Sequence, residues 1–119
     1  MLYAPESYWK ASAEERTKRC NGCGTKGLGG WLVPDTLYGL NITEACNIHD
    51  WMYAKGKVIA DKDSADRAFL NNMLRIIEAE SSAWFKSIRK RRAWAYYLAV
   101  KQFGGAAFWS EKNKPEEMG

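Results

Sequence analysis

The sequence predicts an all-α, mainly helical domain, and three observations carry that expectation. Apolar residues recur every three or four positions from Ala45 to Tyr53, they do so again from Ala65 to Ile77, and an aromatic-rich stretch follows from Trp84 to Phe103. A chain of 119 residues has room for one domain, residues 1–119, with one core. Its 46% apolar content and six tryptophans can fill that core, so disorder is not the default.

Charge sets few limits. Lys and Arg outnumber Asp and Glu by 18 to 14, a surplus too small to name a partner. No apolar run approaches the ~20 residues of a membrane-spanning helix. Residues 1–20 carry seven charged side chains and no apolar stretch of the kind a signal peptide needs. Membrane contact is therefore expected to be peripheral, and the chain cytoplasmic as synthesised, with release by another route left open. The three cysteines, Cys20, Cys23 and Cys46, leave the redox state open.

The elements follow in order. Between Asn21 and Gly30 five of ten residues are glycine, which defines a loop whose backbone can take positive φ and approach a ligand closely. Pro34 and Asp35 read as a turn. Thr43 is the candidate N-cap of a helix that runs to about Lys55 and ends at Gly56. Ala45, Cys46, His49, Met52 and Tyr53 share one face of it, so His49 lies in an apolar stripe.

Residues 57–62 read as a polar connector to a second helix, capped by Asp63 or Ser64, with Asp66 in its first turn. The apolar stripe there is Ala65, Phe69, Leu70, Met73, Leu74, Ile76 and Ile77, and Asp66 falls on it. Helices joined by a short connector pack antiparallel, so His49 and Asp66 can meet. A pair explains both, because each alone is a polar group buried without a partner. The third helix contains the basic run Lys86, Arg89, Lys90, Arg91 and Arg92 and stops at Gly104 and Gly105. Phe108 and Trp109 are expected to pack back on the core, and the tail from Lys112 to fray.

The string Cys46-Asn47-Ile48-His49-Asp50-Trp51-Met52-Tyr53 resembles the Cys-x-x-His-Asp-x-x-Tyr core of the secreted phospholipase A2 family. Ala65-Asp66-Arg67-Ala68 resembles the family's Asp-Arg-Ala segment, and the glycines around Cys23 resemble its calcium loop. The resemblance spans about residues 20 to 75. It implies a phospholipase A2-like fold with two antiparallel active-site helices behind a glycine-rich metal loop, followed here by a basic aromatic helix. It also implies calcium-dependent hydrolysis of a phospholipid acyl ester, at the sn-2 position, on a membrane surface.

In that reading His49 is the general base that activates water, Asp66 orients its imidazole and Tyr53 supports the network. Asp50 binds calcium together with carbonyls of Gly22, Gly24 and Lys26, and a disulfide joins Cys23 to Cys46. The residue types suit the chemistry: a neutral imidazole accepts a proton near pH 7, and calcium prefers oxygen ligands. The chain departs from the family in Lys26, which stands where glycine is usual, and in the loss of most family cysteines. Its path from Pro34 to His49 is longer and that from His49 to Asp66 shorter, so the family's β-wing is expected to be absent.

A rival reading takes Cys20-x2-Cys23 and Cys46-x2-His49 as a complete zinc-ligand set. The chain is then a zinc-stabilised binding module, with nucleic acid as partner through the basic helix. A third reading is a catalytically silent relative. Taken singly, His49 is a core histidine, Asp66 a helix-terminal carboxylate and Asp50 a solvated charge. Zinc gives no reason for Asp50, Tyr53 and Asp66 to fall where they do, and their combination favours the enzyme.

Overall fold

The computed structural model describes residues 2–20 and 34–109, which are mainly helical. The glycine-rich loop, with Gly22, Cys23, Gly24 and Lys26, and the tail from Lys112 lie outside the described residues. Two short helices open the chain, α1 (Glu6–Lys10) and α2 (Ala13–Arg19). Ser12 starts the second by accepting the Glu15 amide at 3.1 Å.

A two-stranded antiparallel hairpin follows, β1 (Thr36–Leu37) and β2 (Leu40–Asn41), paired Thr36 with Asn41 and Leu37 with Leu40. Tyr38 and Gly39 both have positive φ, 48° and 84°, as a tight hairpin turn demands. The sequence reading placed only a turn at Pro34 and Asp35, because strands of two residues are too short to show alternation.

The third helix, α3 (Thr43–Lys55), begins where the sequence indicates, but Thr43 is not its cap. The Asn41 side-chain oxygen accepts the Thr43 amide at 2.7 Å instead. Burial also goes beyond the single predicted stripe, since Ile48, Asp50 and Trp51 are buried beside Ala45, Cys46, His49 and Tyr53. The N-terminal segment covers that second face. Tyr8 packs on Ile48 and Trp51, its hydroxyl bonds Glu44, and the Trp51 indole donates to Ser7 Oγ at 3.1 Å.

The fourth helix, α4 (Ile59–Glu80), starts earlier than expected, within the segment read as a connector. Asp61, rather than Asp63 or Ser64, caps it, accepting the amides of Lys57 at 2.7 Å and Val58 at 3.1 Å. Asp66 therefore sits a turn deeper than a dipole-serving first-turn carboxylate. The predicted stripe is buried except for Leu74, which is partly covered. Asn72 is buried with it because its amide clamps the Tyr3 backbone, accepting N–H at 2.6 Å and donating to the carbonyl at 2.7 Å.

A fifth helix, α5 (Ala83–Phe103), runs unbroken through the basic run, and α6 (Gly105–Trp109) returns to the core, where Phe108 is fully buried. Glu78 near the end of α4 pairs with Lys86 and Lys90 near the start of α5, while Lys62 at the start of α4 bonds Val100 and Lys101 at the end of α5. The two helices are thus antiparallel. No described helix is long and apolar enough to cross a membrane.

The basic run is mostly tied down within the molecule. Arg89 donates to the carbonyls of Leu37 and Tyr38 and to Ser81 Oγ at 3.0, 2.8 and 2.8 Å, so it staples the hairpin to α5. Arg92 bonds the Tyr38 hydroxyl, and Lys86 and Lys90 pair with Glu78. Replacing Arg89 with glutamine is expected to cost about 1–3 kcal/mol, because hairpin carbonyls lose charged donors, whereas Arg91→Gln should stay within about 0.5 kcal/mol. Urea unfolding of both variants measures the difference, and equal midpoints would refute the staple.

Candidate active site

His49 and Asp66 meet, as the sequence reading requires. Short joining residues 56–58 turn α4 back along α3, and the two side chains face each other across the seam. His49 Nε2 lies 2.8 Å from Asp66 Oδ1, and the pair is 0% and 1% exposed. Tyr53, one turn along α3 from His49, donates its hydroxyl to the same oxygen at 2.6 Å. The other oxygen, Oδ2, accepts from Lys62 Nζ at 2.7 Å. The imidazole is held between the rings of Tyr53 and Phe69, with centroids at 4.1 and 4.9 Å.

The electrostatics follow from burial and these contacts. Burial pushes the Asp66 carboxyl up, but the hydrogen bonds from His49, then Lys62 and Tyr53, outweigh it and hold the group below its ordinary value. Asp66 is therefore ionised and accepts only. Burial pushes His49 below its ordinary 6.5; the Asp66 contact opposes this and the Lys62 charge adds to it, so the ring is neutral at pH 7. Burial, then Asp66, drives the Tyr53 hydroxyl far above 10, so it remains a donor.

One nitrogen is left over. With Nε2–H given to an ionised carboxylate, Nδ1 carries a lone pair, and it is buried without a hydrogen-bond partner among the described residues. Buried polar atoms are nearly always satisfied, so an orphan on an ionisable ring marks a place where a reactant can bind.

Asp50 diverges from His49 by one helical position and is also buried, 6% exposed. Its charge helps to raise the pKa of both Tyr53 and Cys20. Cys20 is a free thiol that donates to the Asn47 carbonyl at 3.2 Å. Burial, then the charges of Asp50 and Glu44, push it up to about 11. Among the described residues no three His, Cys, Asp or Glu side chains converge as a metal cluster. The remaining expected ligands, Gly22, Gly24 and Lys26, and Cys23, the expected partner of Cys46, lie outside the described residues.

Three participants escaped the sequence reading. Lys62 is buried beside Asp66, although it falls in the segment that the sequence marks as a connector; its spacing of four from Asp66 shows only once α4 is known to start at Ile59. Phe108 stacks edge-on against Tyr53 at 5.3 Å. Gly104 passes so close to the Tyr53 hydroxyl and the Val100 carbonyl that a Cβ there would collide with both. Its glycine is needed for space, since its backbone is ordinary right-handed helix with φ −78°.

Comparison with protein-family models, with curated proteins and with solved structures finds no match for this chain. The site has to be read from its own chemistry.

The depressed imidazole gives a signed pH dependence. Below pH 6.5 the unfolded chain takes up a proton at His49 that the folded chain refuses, so this contribution to stability is full above 6.5 and falls with pH below it. The slope is at most about 1.4 kcal/mol per pH unit. Urea unfolding between pH 8 and 5 should show this loss in the native chain and lack it in His49→Gln; parallel curves would contradict it.

Proposed function

We propose that this chain is a phospholipase A2-like esterase that hydrolyses a phospholipid acyl ester with calcium as cofactor. One observation carries the reading: a neutral, fully buried imidazole has one nitrogen bound to an ionised carboxylate and the other unsatisfied. That is the arrangement of a general base. Nδ1 takes the proton of an attacking water, the Nε2–H bond to Asp66 holds the ring in the required tautomer, and the carboxylate steadies the imidazolium that forms. Tyr53 donates to the same oxygen, Oδ1, and so shares in pairing the carboxylate.

Asp50 suits a hard cation, being a buried carboxylate oxygen donor next to the base. It would hold calcium together with carbonyls of Gly22, Gly24 and Lys26, and the ion would polarise the ester carbonyl. A Cys23–Cys46 disulfide belongs to the same proposal and fits with Cys20 being free. The zinc alternative is less favoured because the Cys20 thiol is bonded to the Asn47 carbonyl.

The partner in this reading is a phospholipid surface. Trp84, Arg91, Trp94 and Leu98 fall along one stripe of α5, and the three apolar members are 81%, 50% and 49% exposed. Nucleic-acid binding through the basic run is less favoured, since Lys86, Arg89, Lys90 and Arg92 are engaged within the molecule.

Hydrolysis of anionic phospholipid vesicles tests the proposal. It should require calcium and stop in excess chelator, and His49→Gln should lower the rate by at least ~100-fold while the variant still folds. Hydrolysis unchanged in the variant would remove His49 from the chemistry.

A further inference from the structure

Lys62 is the only lysine or arginine buried among the described residues. An ammonium has three N–H donors, and here each has an acceptor: Asp66 Oδ2 at 2.7 Å, Val100 O at 3.2 Å and Lys101 O at 3.2 Å. The two carbonyls belong to the last turn of α5, where the helix dipole is negative, and Val100 O also accepts the Gly104 amide at 2.8 Å. The side chain thus spans from the end of α5 to the back of the site.

Its effect on Asp66 follows from how the two carboxylate oxygens are used. Oδ1 receives both His49 and Tyr53, whereas Oδ2 receives Lys62. Without the ammonium, Oδ2 would be a buried, charged oxygen without this donor, and the carboxylate would gain by rotating to share its remaining donors between both oxygens. Rotation misaligns the Nε2–H bond and weakens the preference for the tautomer that leaves Nδ1 bare.

We propose that Lys62 is a positioning residue: anchored on the C-terminal carbonyls of α5, it locks the plane of the Asp66 carboxylate and thereby the tautomer of His49. The inference rests on the catalytic reading of the site for its effect on rate, but the tautomer is independent of activity. A purely structural Lys62, capping α5 and nothing more, would leave both the tautomer and kcat alone.

The test uses Lys62→Met and Lys62→Gln in the full chain. His49 is the only histidine, so a long-range 1H–15N spectrum at neutral pH reports one imidazole. Lys62→Met is expected to turn a single Nε2–H tautomer into a mixture and to lower kcat on phosphatidylglycerol vesicles with calcium by about 10- to 100-fold, with KM within about twofold. Lys62→Gln, which keeps one donor for Oδ2, should recover part of both. A folded Lys62→Met with native tautomer and kcat, or with KM alone altered, would overturn the proposal.

If the native chain does not hydrolyse vesicles, the phospholipase reading fails and the tautomer alone decides the role of Lys62. If Lys62→Met does not fold, Lys62→Gln decides in its place. In the native protein the Lys62 ammonium should itself give a slowly exchanging 1H–15N signal at pH 7, and fast exchange would overturn the inference.

Discussion

An ionised carboxylate sealed in an apolar interior is the constraint on which the arrangement of the helices depends. Asp66 is 1% exposed, and a charge so buried is tolerated only when it is fully paired. Its donors come from His49 and Tyr53 on α3 and from Lys62 on α4, and Lys62 is tied in turn to α5. Each pair on a helix is separated by one turn, His49 from Tyr53 and Lys62 from Asp66. Sliding either helix by a turn would strand the carboxylate, so the requirement that fixes the charge also fixes the register between helices. Phe108 and Gly104 close the same region from the far end of the chain, one by stacking on Tyr53 and the other by leaving room for it.

The same constraint leaves one imidazole nitrogen, Nδ1, without a hydrogen-bond partner among the described residues. A histidine serving only the core would satisfy both ring nitrogens, and this one satisfies only Nε2. Unmet hydrogen-bonding capacity of this kind is a property of sites that bind a reactant and is wasteful elsewhere.

Much of this was legible in the sequence, for identifiable reasons. The three long helices and the His49–Asp66 pair show in the sequence because apolar periodicity is strong in 45–53 and 65–77 and because two polar residues on buried faces demand one another. The start of α4 was hidden by its polar first turn, where Asp61 caps through a back-bond that no periodicity reveals, and with it went Lys62. The N-terminal cover on Ile48 and Trp51 could not be seen because α1 and α2 are too short to carry a pattern. Within the basic run, Arg89 is spent on the carbonyls of a hairpin whose strands have two residues each. Long-range side-chain-to-backbone bonds of this kind leave no trace in spacing.

The chemistry proposed for the site depends on where its protons are. Neutron diffraction from deuterated crystals near pH 7 would locate them directly. A deuteron on His49 Nε2, none on Nδ1, none on either Asp66 oxygen and three on Lys62 Nζ is the predicted result. A deuteron on Nδ1, or one on Asp66, would contradict it, because the orphan nitrogen would then have no lone pair with which to accept a proton.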